Sequence, residues 1–425
     1  MLSNSFTLRA FAWLLLAPLT QIVSFDQPRA QTQGESKLTQ PLPVARPERQ
    51  QQITISNPSE PVQSDDPQPP RNIGAFFDKL RAGKAVTVAY LGGSVISGLG
   101  ASNAEKTSYR ALVTNWIRKK YPKAEIQEIN AAVGGTGSLY GALRARRDVI
   151  AYKPDLVFID LATNDAGEDE GSVKKAVEGL LRQLLVVPQP PEVVMLHATT
   201  ARKDVHTDWY EAVSSYYQIP SINLQTQTWA ILEGGTVKSS DFWKDGLHPS
   251  DSGHKIYADL ITNFLAEQEK LKATPIMRNL PTPLISDEMN YGEFKAVAEI
   301  KHNPNWKTEL SNNRNLPTAL LVSDKAGSQI EYYFEGTVIG LSLRMGPDCG
   351  IFEVLVDGRP APAPLAKVDG YDHTHHIGTR IIAGGLGPGE HKLTIRVTSE
   401  RNSKSTGNYV RLGYLLVGGT RPERL

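Results

Sequence analysis

Val86-Thr87-Val88-Ala89-Tyr90-Leu91-Gly92-Gly93-Ser94 is a short, β-branched apolar run that ends on two glycines and a serine, and Asp155-Leu156-Val157-Phe158-Ile159-Asp160-Leu161 is a second run of the same texture. Such runs are too short for helices and read as strands. Outward from them the pattern repeats. Glu125 to Asn130, Glu192 to His197 and Ile219 to Leu224 read as three further strands. Between them, Ser108 to Tyr121, Ser138 to Tyr152, Ser172 to Leu185 and Asp208 to Tyr217 carry apolar residues at helical spacing, and Ser252 to Leu271 closes the unit as a last helix. Strands that alternate with helices in this way predict an α/β domain over residues 71–272, a parallel sheet with helices on both faces.

The flanks have a different character. Residues 1–24 read as a secretory signal, with Arg9 ahead of the apolar stretch Phe11 to Leu19, which is too short to span a bilayer. Cleavage after Ser24 or Ala30 is compatible with the sequence; loss of residues 1–30 would bring the formal net charge from +1 to zero. A secreted or periplasmic protein follows, with no membrane span once the signal is removed. Residues 25–70 are rich in Gln, Pro, Ser and Glu and cannot bury enough apolar surface to offset their ordering entropy, so they read as a disordered linker. A Pro-containing connector, 273–284, precedes residues 285–425, where short alternating strands such as Ile330 to Phe334 and Lys392 to Val397 are separated by turns such as Gly387-Pro388-Gly389. That texture predicts an all-β sandwich.

Charge and cysteine content exclude some functions. The 46 basic and 45 acidic residues form no basic stripe, which argues against a nucleic-acid or anionic-membrane partner. The single cysteine, Cys349, rules out an intramolecular disulfide framework and reads as a small buried hydrophobe.

Four segments carry residues capable of chemistry. Ser94 follows the first strand behind Gly92-Gly93, at the sheet edge where open parallel sheets bind ligands, although a Gly-Gly-Ser by itself also describes a plain turn. Ile96 stands where the nucleophile elbow of the α/β-hydrolases has its second glycine. Asn130-Ala131-Ala132-Val133-Gly134-Gly135-Thr136-Gly137-Ser138 offers free backbone amides or simply a flexible loop. Asn164 follows the third strand and is equally suited to a pocket amide or to a helix cap. In Asp245-Gly246-Leu247-His248-Pro249 a carboxylate three residues before an imidazole can orient the ring so that its far nitrogen takes a serine proton; the bland alternative is a surface loop.

In this order, Gly92-Gly93-Ser94, Gly135, Asn164 and Asp245 with His248 resemble the blocks of the SGNH or GDSL-like hydrolases over about residues 84–268. One departure is Gly93, where the name-giving motif has Asp. The resemblance implies a flavodoxin-like three-layer fold. It also implies a serine esterase in which Ser94 is the nucleophile, His248 the general base and then acid, and Asp245 its orienting carboxylate. The Ser94 and Gly135 amides with the Asn164 side chain would form the oxyanion hole, and no metal or organic cofactor is required. The C-terminal domain is similar to galactose-binding-like sandwiches, on Tyr333-Phe334-Glu335-Gly336-Thr337 and Val356-Asp357-Gly358.

Export and the appended sandwich together lead to an expected substrate: short-chain acetyl esters on an O-acetylated polysaccharide or glycan. A lipid or lysophospholipid esterase, a glycan O-acetyltransferase and a non-catalytic glycan-binding protein are the competing readings. Among other candidates, Asp372-His373-Thr374-His375-His376 has a metal-binding composition but reads as a polar loop, and His254 reads as structural. His197 and His206 flank the fourth connection, and Trp209, Tyr210 and Trp243 are candidates for stacking on a sugar ring or for core packing.

Overall fold

The computed structural model describes residues 71–274, 280–311, 317 and 319–419. The signal and linker assigned to residues 1–70 lie outside the described residues, as does part of the connector.

The first domain runs α1 (Gly74–Arg81), β1 (Val86–Gly92), α2 (Ser94–Ser97), α3 (Tyr109–Lys120), β2 (Ile126–Ala132), α4 (Ser138–Asp148), β3 (Leu156–Asp160), α5 (Glu170–Leu185), β4 (Glu192–Leu196), α6 (Thr207–Tyr216), β5 (Ser221–Ile222), α7 (Leu224–Glu233), α8 (Ser239–Phe242) and α9 (Asp251–Gln268). Its five strands are parallel, in the order β2-β1-β3-β4-β5. Alternate residues of β1 serve opposite layers. Ala89 and Leu91 pack with α4, α5 and α6, whereas Val88 and Tyr90 pack with α1, α3 and α9. This is the expected three-layer α/β/α architecture. Central β3 is buried at every position, while edge strand β2 keeps Gln127 exposed and Glu128 and Asn130 half-buried, the composition that an edge tolerates.

One strand differs from its sequence expectation. Only Ser221 and Ile222 pair in β5, because the Asn223 side chain accepts from the Thr226 amide and caps α7, which takes Leu224 into a helix.

The second domain is a sandwich. Its strands are β6 (Gly292–Ala296), β7 (Lys307–Leu310), β8 (Ala319–Ser323), β9 (Gln329–Glu335), β10 (Val338–Met345), β11 (Ile351–Val356), β12 (Arg359–Pro360), β13 (Lys367–Asp369), β14 (His376–Ala383), β15 (Glu390–Val397) and β16 (Val410–Gly418). One sheet has the order β14-β10-β16-β8-β7 with β6 also on β16; the other has β12-β11-β15-β9 with β13 also on β11. Their inner faces share a core that includes Trp306, Leu341, Phe352, Ile395 and Leu412. Asp357 and Gly358, both at positive φ (52° and 75°), form the tight β11–β12 hairpin turn.

The two domains are fused by burial. Met289, Val338 and Leu416 belong to the same apolar cluster as the α4–α5 layer. The carboxylate of Glu178, fully buried on α5, accepts the backbone amides of Leu284, Ile285 and Ser286. Gln183 donates to both Ala142 O (3.1 Å) and Met289 O (3.0 Å). Gly292 lies so close to α4 that a Cβ there would stand 2.6 Å from the Leu143 Cα and 2.7 Å from Ala142 O, both backbone atoms that cannot swing aside. Gly292→Ala is therefore expected to cost about 1–3 kcal/mol by overpacking. Urea unfolding followed by tryptophan fluorescence should show that loss within one transition common to both domains; an unshifted midpoint would mean that the interface yields without cost.

Candidate active site

β1 delivers its chain to the carboxyl edge of the sheet, where Gly93 is the N-cap of α2 and Ser94 its first residue. The first amides of a helix have no acceptor within it, so the Ser94 N–H is free of the helical ladder. The Ser94 hydroxyl lies 2.8 Å from His248 Nε2. On the far side of that ring, Nδ1 stands 2.7 Å from Asp245 Oδ2. A carboxylate only accepts, so Nδ1 carries the proton and Nε2 is left to accept from the serine.

The loop that holds Asp245 and His248 is a tight turn through Gly246, at φ 82°. Asp245 Oδ1 accepts from the amides of Leu247 (3.0 Å) and His248 (2.8 Å), and the Lys244 amide donates to His248 O at 2.8 Å. Burial pushes the Asp245 carboxyl up, but the His248 ring and these amides outweigh it and hold the group below its usual range. With its side chain 53% exposed against 10% for His248, Asp245 keeps its charge in contact with water while the imidazole is shielded.

The third strand supplies the facing group. A Cβ on Gly93 would stand 2.1 Å from Asn164 Nδ2, so the amide occupies the space that a side chain at 93 would need. In this chain, glycine at 93 is thus what lets the Asn164 amide lie against the backbone. Gly135 sits at φ 71° with open space around its Cβ position, and a Cβ on Gly134 would lie 3.6 Å from the Ser94 Cβ. Asp165, which the sequence did not mark out, ties these pieces together. Both its oxygens accept from the Ser138 amide (3.1 and 3.0 Å), and Oδ2 also accepts from the Tyr210 hydroxyl. Gly137 is required there, since a Cβ would collide with Asp165 Oδ1 at 1.8 Å. Burial raises the Asp165 carboxyl, against those hydrogen bonds. The alternation of Gly with Ser in Gly135-Thr136-Gly137-Ser138 was the available signal for this close approach.

Other candidates are placed elsewhere. Tyr210 (1% exposed) and Trp243 (8%) are buried, so neither offers a face for a sugar. Trp209 is half-buried with His206 stacked on it at 4.0 Å. His197 is fully buried against Tyr210, and burial brings it down to about 4, which makes it a core residue. His254, also brought down to about 4 by burial, accepts the Tyr109 amide and donates to Leu99 O, which braces the loop whose Gly100 packs on His248 and Pro249. His373 pairs with Asp372, while His375 turns to Met345 O and His376 to Thr374 O; among the described residues no three metal-binding side chains converge. Cys349 is buried. A cavity of about 430 Å³ beside β5, lined by Ile222, Leu260 and Phe264 among others, includes none of the site residues.

A serine facing a carboxylate-paired imidazole at the carboxyl edge of a parallel sheet defines a serine hydrolase. The model of the GDSL-like Lipase/Acylhydrolase family matches residues 90–256, and the α/β domain is a serine esterase of that SGNH or GDSL type. Two solved structures of similar architecture span both domains. A two-domain esterase (CEX) active on acetylated mannans, co-crystallized with mannopentaose, is 24% identical, with 84% of this chain and 97% of that one covered at a TM-score of 0.72. A second structure of a two-domain esterase (CEX) active on acetylated mannans is 25% identical over 82% of this chain and 95% of that one, at a TM-score of 0.69. No curated protein sequence matches the chain significantly.

Two expectations follow. Gly93→Ala should displace the Asn164 amide and lower ester turnover by about 10²-fold or more, the scale of a lost oxyanion donor, and a wild-type rate in a folded variant would refute the steric account. His197 is neutral in the fold and titrates near its ordinary value when unfolded, so its contribution to stability is present above about pH 6.5 and is lost as pH falls toward 4. Thermal midpoints of His197→Leu should therefore fall less than wild type between pH 7 and pH 5; parallel profiles would count against this assignment.

Proposed function

We propose that the protein is an exported esterase that removes acetyl groups from an O-acetylated polysaccharide, with Ser94, His248 and Asp245 as its catalytic residues. The reading is carried by the unbroken line of hydrogen bonds from the Ser94 hydroxyl through His248 to Asp245. His248 Nε2 takes the hydroxyl proton as Ser94 Oγ attacks the ester carbonyl. The tetrahedral intermediate then collapses, and His248 returns the proton to the departing sugar hydroxyl. Water, deprotonated by the same nitrogen, attacks the acetyl-serine, and His248 returns that proton to Ser94 Oγ as acetic acid leaves. Through both steps the amides of Ser94 and Gly135 and the side-chain amide of Asn164 would donate to the oxyanion.

The substrate class draws support from likeness over both domains to an esterase active on acetylated mannans, and export from the N-terminal sequence. Among the described residues no helix is long and apolar enough to cross a membrane.

Hydrolysis of 4-nitrophenyl acetate, octanoate and palmitate, beside acetate release from acetylated mannan and xylan, tests the proposal. Turnover should be highest on acetate, fall by at least about 10³-fold in Ser94→Ala, and fall by about 10²–10³-fold in Asn164→Ala with the fold intact. Preference for palmitate would redirect the reading to lipid esters. Absence of turnover on every ester would overturn it.

A further inference from the structure

Beneath the site lies a second polar construction that the reaction as described does not use. Arg144, on α4, is fully buried, yet its guanidinium is spent on backbone: Nη2 donates to Gly92 O at 3.0 Å and Nη1 to Ala131 O. These carbonyls stand at the carboxyl ends of β1 and β2, two residues before Ser94 and four before Gly135. The Val133 amide also donates to Gly92 O, at 2.9 Å. One cation therefore bolts together the roots of the nucleophile loop and of the glycine loop.

Arg144 is in turn held by the second domain. Its Nη1 donates to Asp148 Oδ2 at 3.1 Å. Arg147 grips the same carboxylate with two donors, Nε at 2.5 Å and Nη2 at 3.0 Å. The Arg147 guanidinium lies 4.2 Å from the ring centre of Phe294 in β6 and 4.8 Å from that of Tyr414 in β16. Phe294 also meets Tyr140 edge to face, with ring centres 5.3 Å apart. The line from sandwich to site is thus continuous: Phe294 and Tyr414, Arg147, Asp148, Arg144, then the carbonyls of Gly92 and Ala131.

We propose that Arg144 is a positioning residue for ester hydrolysis, setting the spacing between Ser94 and Gly135, and that the β-sandwich fixes it through Arg147 and Asp148. The proposal rests on the esterase reading and gives the second domain a part in turnover that needs no glycan bound to it. A guanidinium can reach two carbonyls and a carboxylate at once because its donors fan out in a plane; an ammonium at the same place is a point donor on a flexible stem. Oxyanion donors act only when already aimed, so a small spread of the two loops should reduce kcat and leave ground-state binding largely alone.

The test uses the full chain with 4-nitrophenyl acetate and active sites titrated with a fluorophosphonate, so that rates refer to folded, competent molecules. Arg144→Lys is expected to lower kcat by about 30-fold or more with KM changed by less than about threefold, and Arg147→Met, which keeps an apolar stem at the interface, to lower kcat by about three- to tenfold, since misplacement at a distance can cost up to about 10². A residue that only stabilises the fold would lower the thermal midpoint and leave kcat per titrated site unchanged. Folded Arg144→Lys with the wild-type kcat overturns the positioning role. Wild-type kcat in Arg147→Met overturns the part given to the sandwich, and decides the matter should Arg144→Lys fail to fold. Absence of Ser94-dependent turnover in the wild type would sink the esterase reading and this proposal with it, whereas wild-type turnover with both variants unaffected would sink this proposal alone.

Discussion

The Asn164 amide and the Gly93 backbone share a space in which a single added carbon does not fit, and much of the α/β domain is arranged to allow that contact. β1 and β3 must be neighbours, as they are, for the loop after one to reach the loop after the other. Gly92 meets the same demand one residue earlier, since a Cβ there would stand 2.2 Å from Asp160 O. The glycine pair before Ser94 therefore serves close backbone approach more than turning: neither residue has a positive φ. A serine so placed has its hydroxyl aimed by the sheet itself, and only the His248 loop has to arrive from elsewhere in the chain.

Three carboxylates near this edge show how surroundings divide the work. Asp245 is half exposed and surrounded by donors, which keeps it anionic beside His248. Asp160, buried and pushed up to about 6 by loss of water, accepts from the Tyr109 hydroxyl and, at 3.4 Å, from the Ala198 amide, and so braces strands rather than substrate. Asp165 is likewise raised by burial and holds the Ser138 end of the glycine loop. In the proposed reaction the imidazole alternately gains and loses a proton and is best served by a partner with a settled charge, and the exposed carboxylate is the one that water stabilises.

What the sequence disclosed and what it withheld divide along range. β1 and β3 were legible because a strand covered on both faces must be apolar throughout, and the Asp245–His248 pair because its geometry is complete within one turn. Leu224 was misread as strand, since an apolar run gives no sign that Asn223 will cap a helix. Tyr210 and Trp243 suit a sugar platform or the core equally in sequence; composition does not say which side of a helix or loop faces the core. Glu178, Arg144 and Gly292 carried no local signal at all. Their partners lie along the chain 106 to 108 residues from Glu178 and 52 from Arg144 at Gly92, with Gly292 set against Leu143, and only the folded chain brings them together.

Those long-range contacts change what the second domain is. A module tethered for binding alone needs only a linker and a modest polar interface, and it would move relative to its partner. Here a fully buried carboxylate spends its acceptors on three successive amides of the joining segment, and sandwich residues Val338 and Leu416 complete the core of the α/β layer. Removal of the sandwich would leave Glu178 facing no donors from that segment and would open an apolar face between α4 and α5. Neither domain buries its own surface without the other, so the unit that folds is also the unit that holds the site. The Arg147–Asp148–Arg144 line is a further polar part of that same joint, and the apolar packing around it supplies the low dielectric in which a guanidinium so far from water keeps its aim.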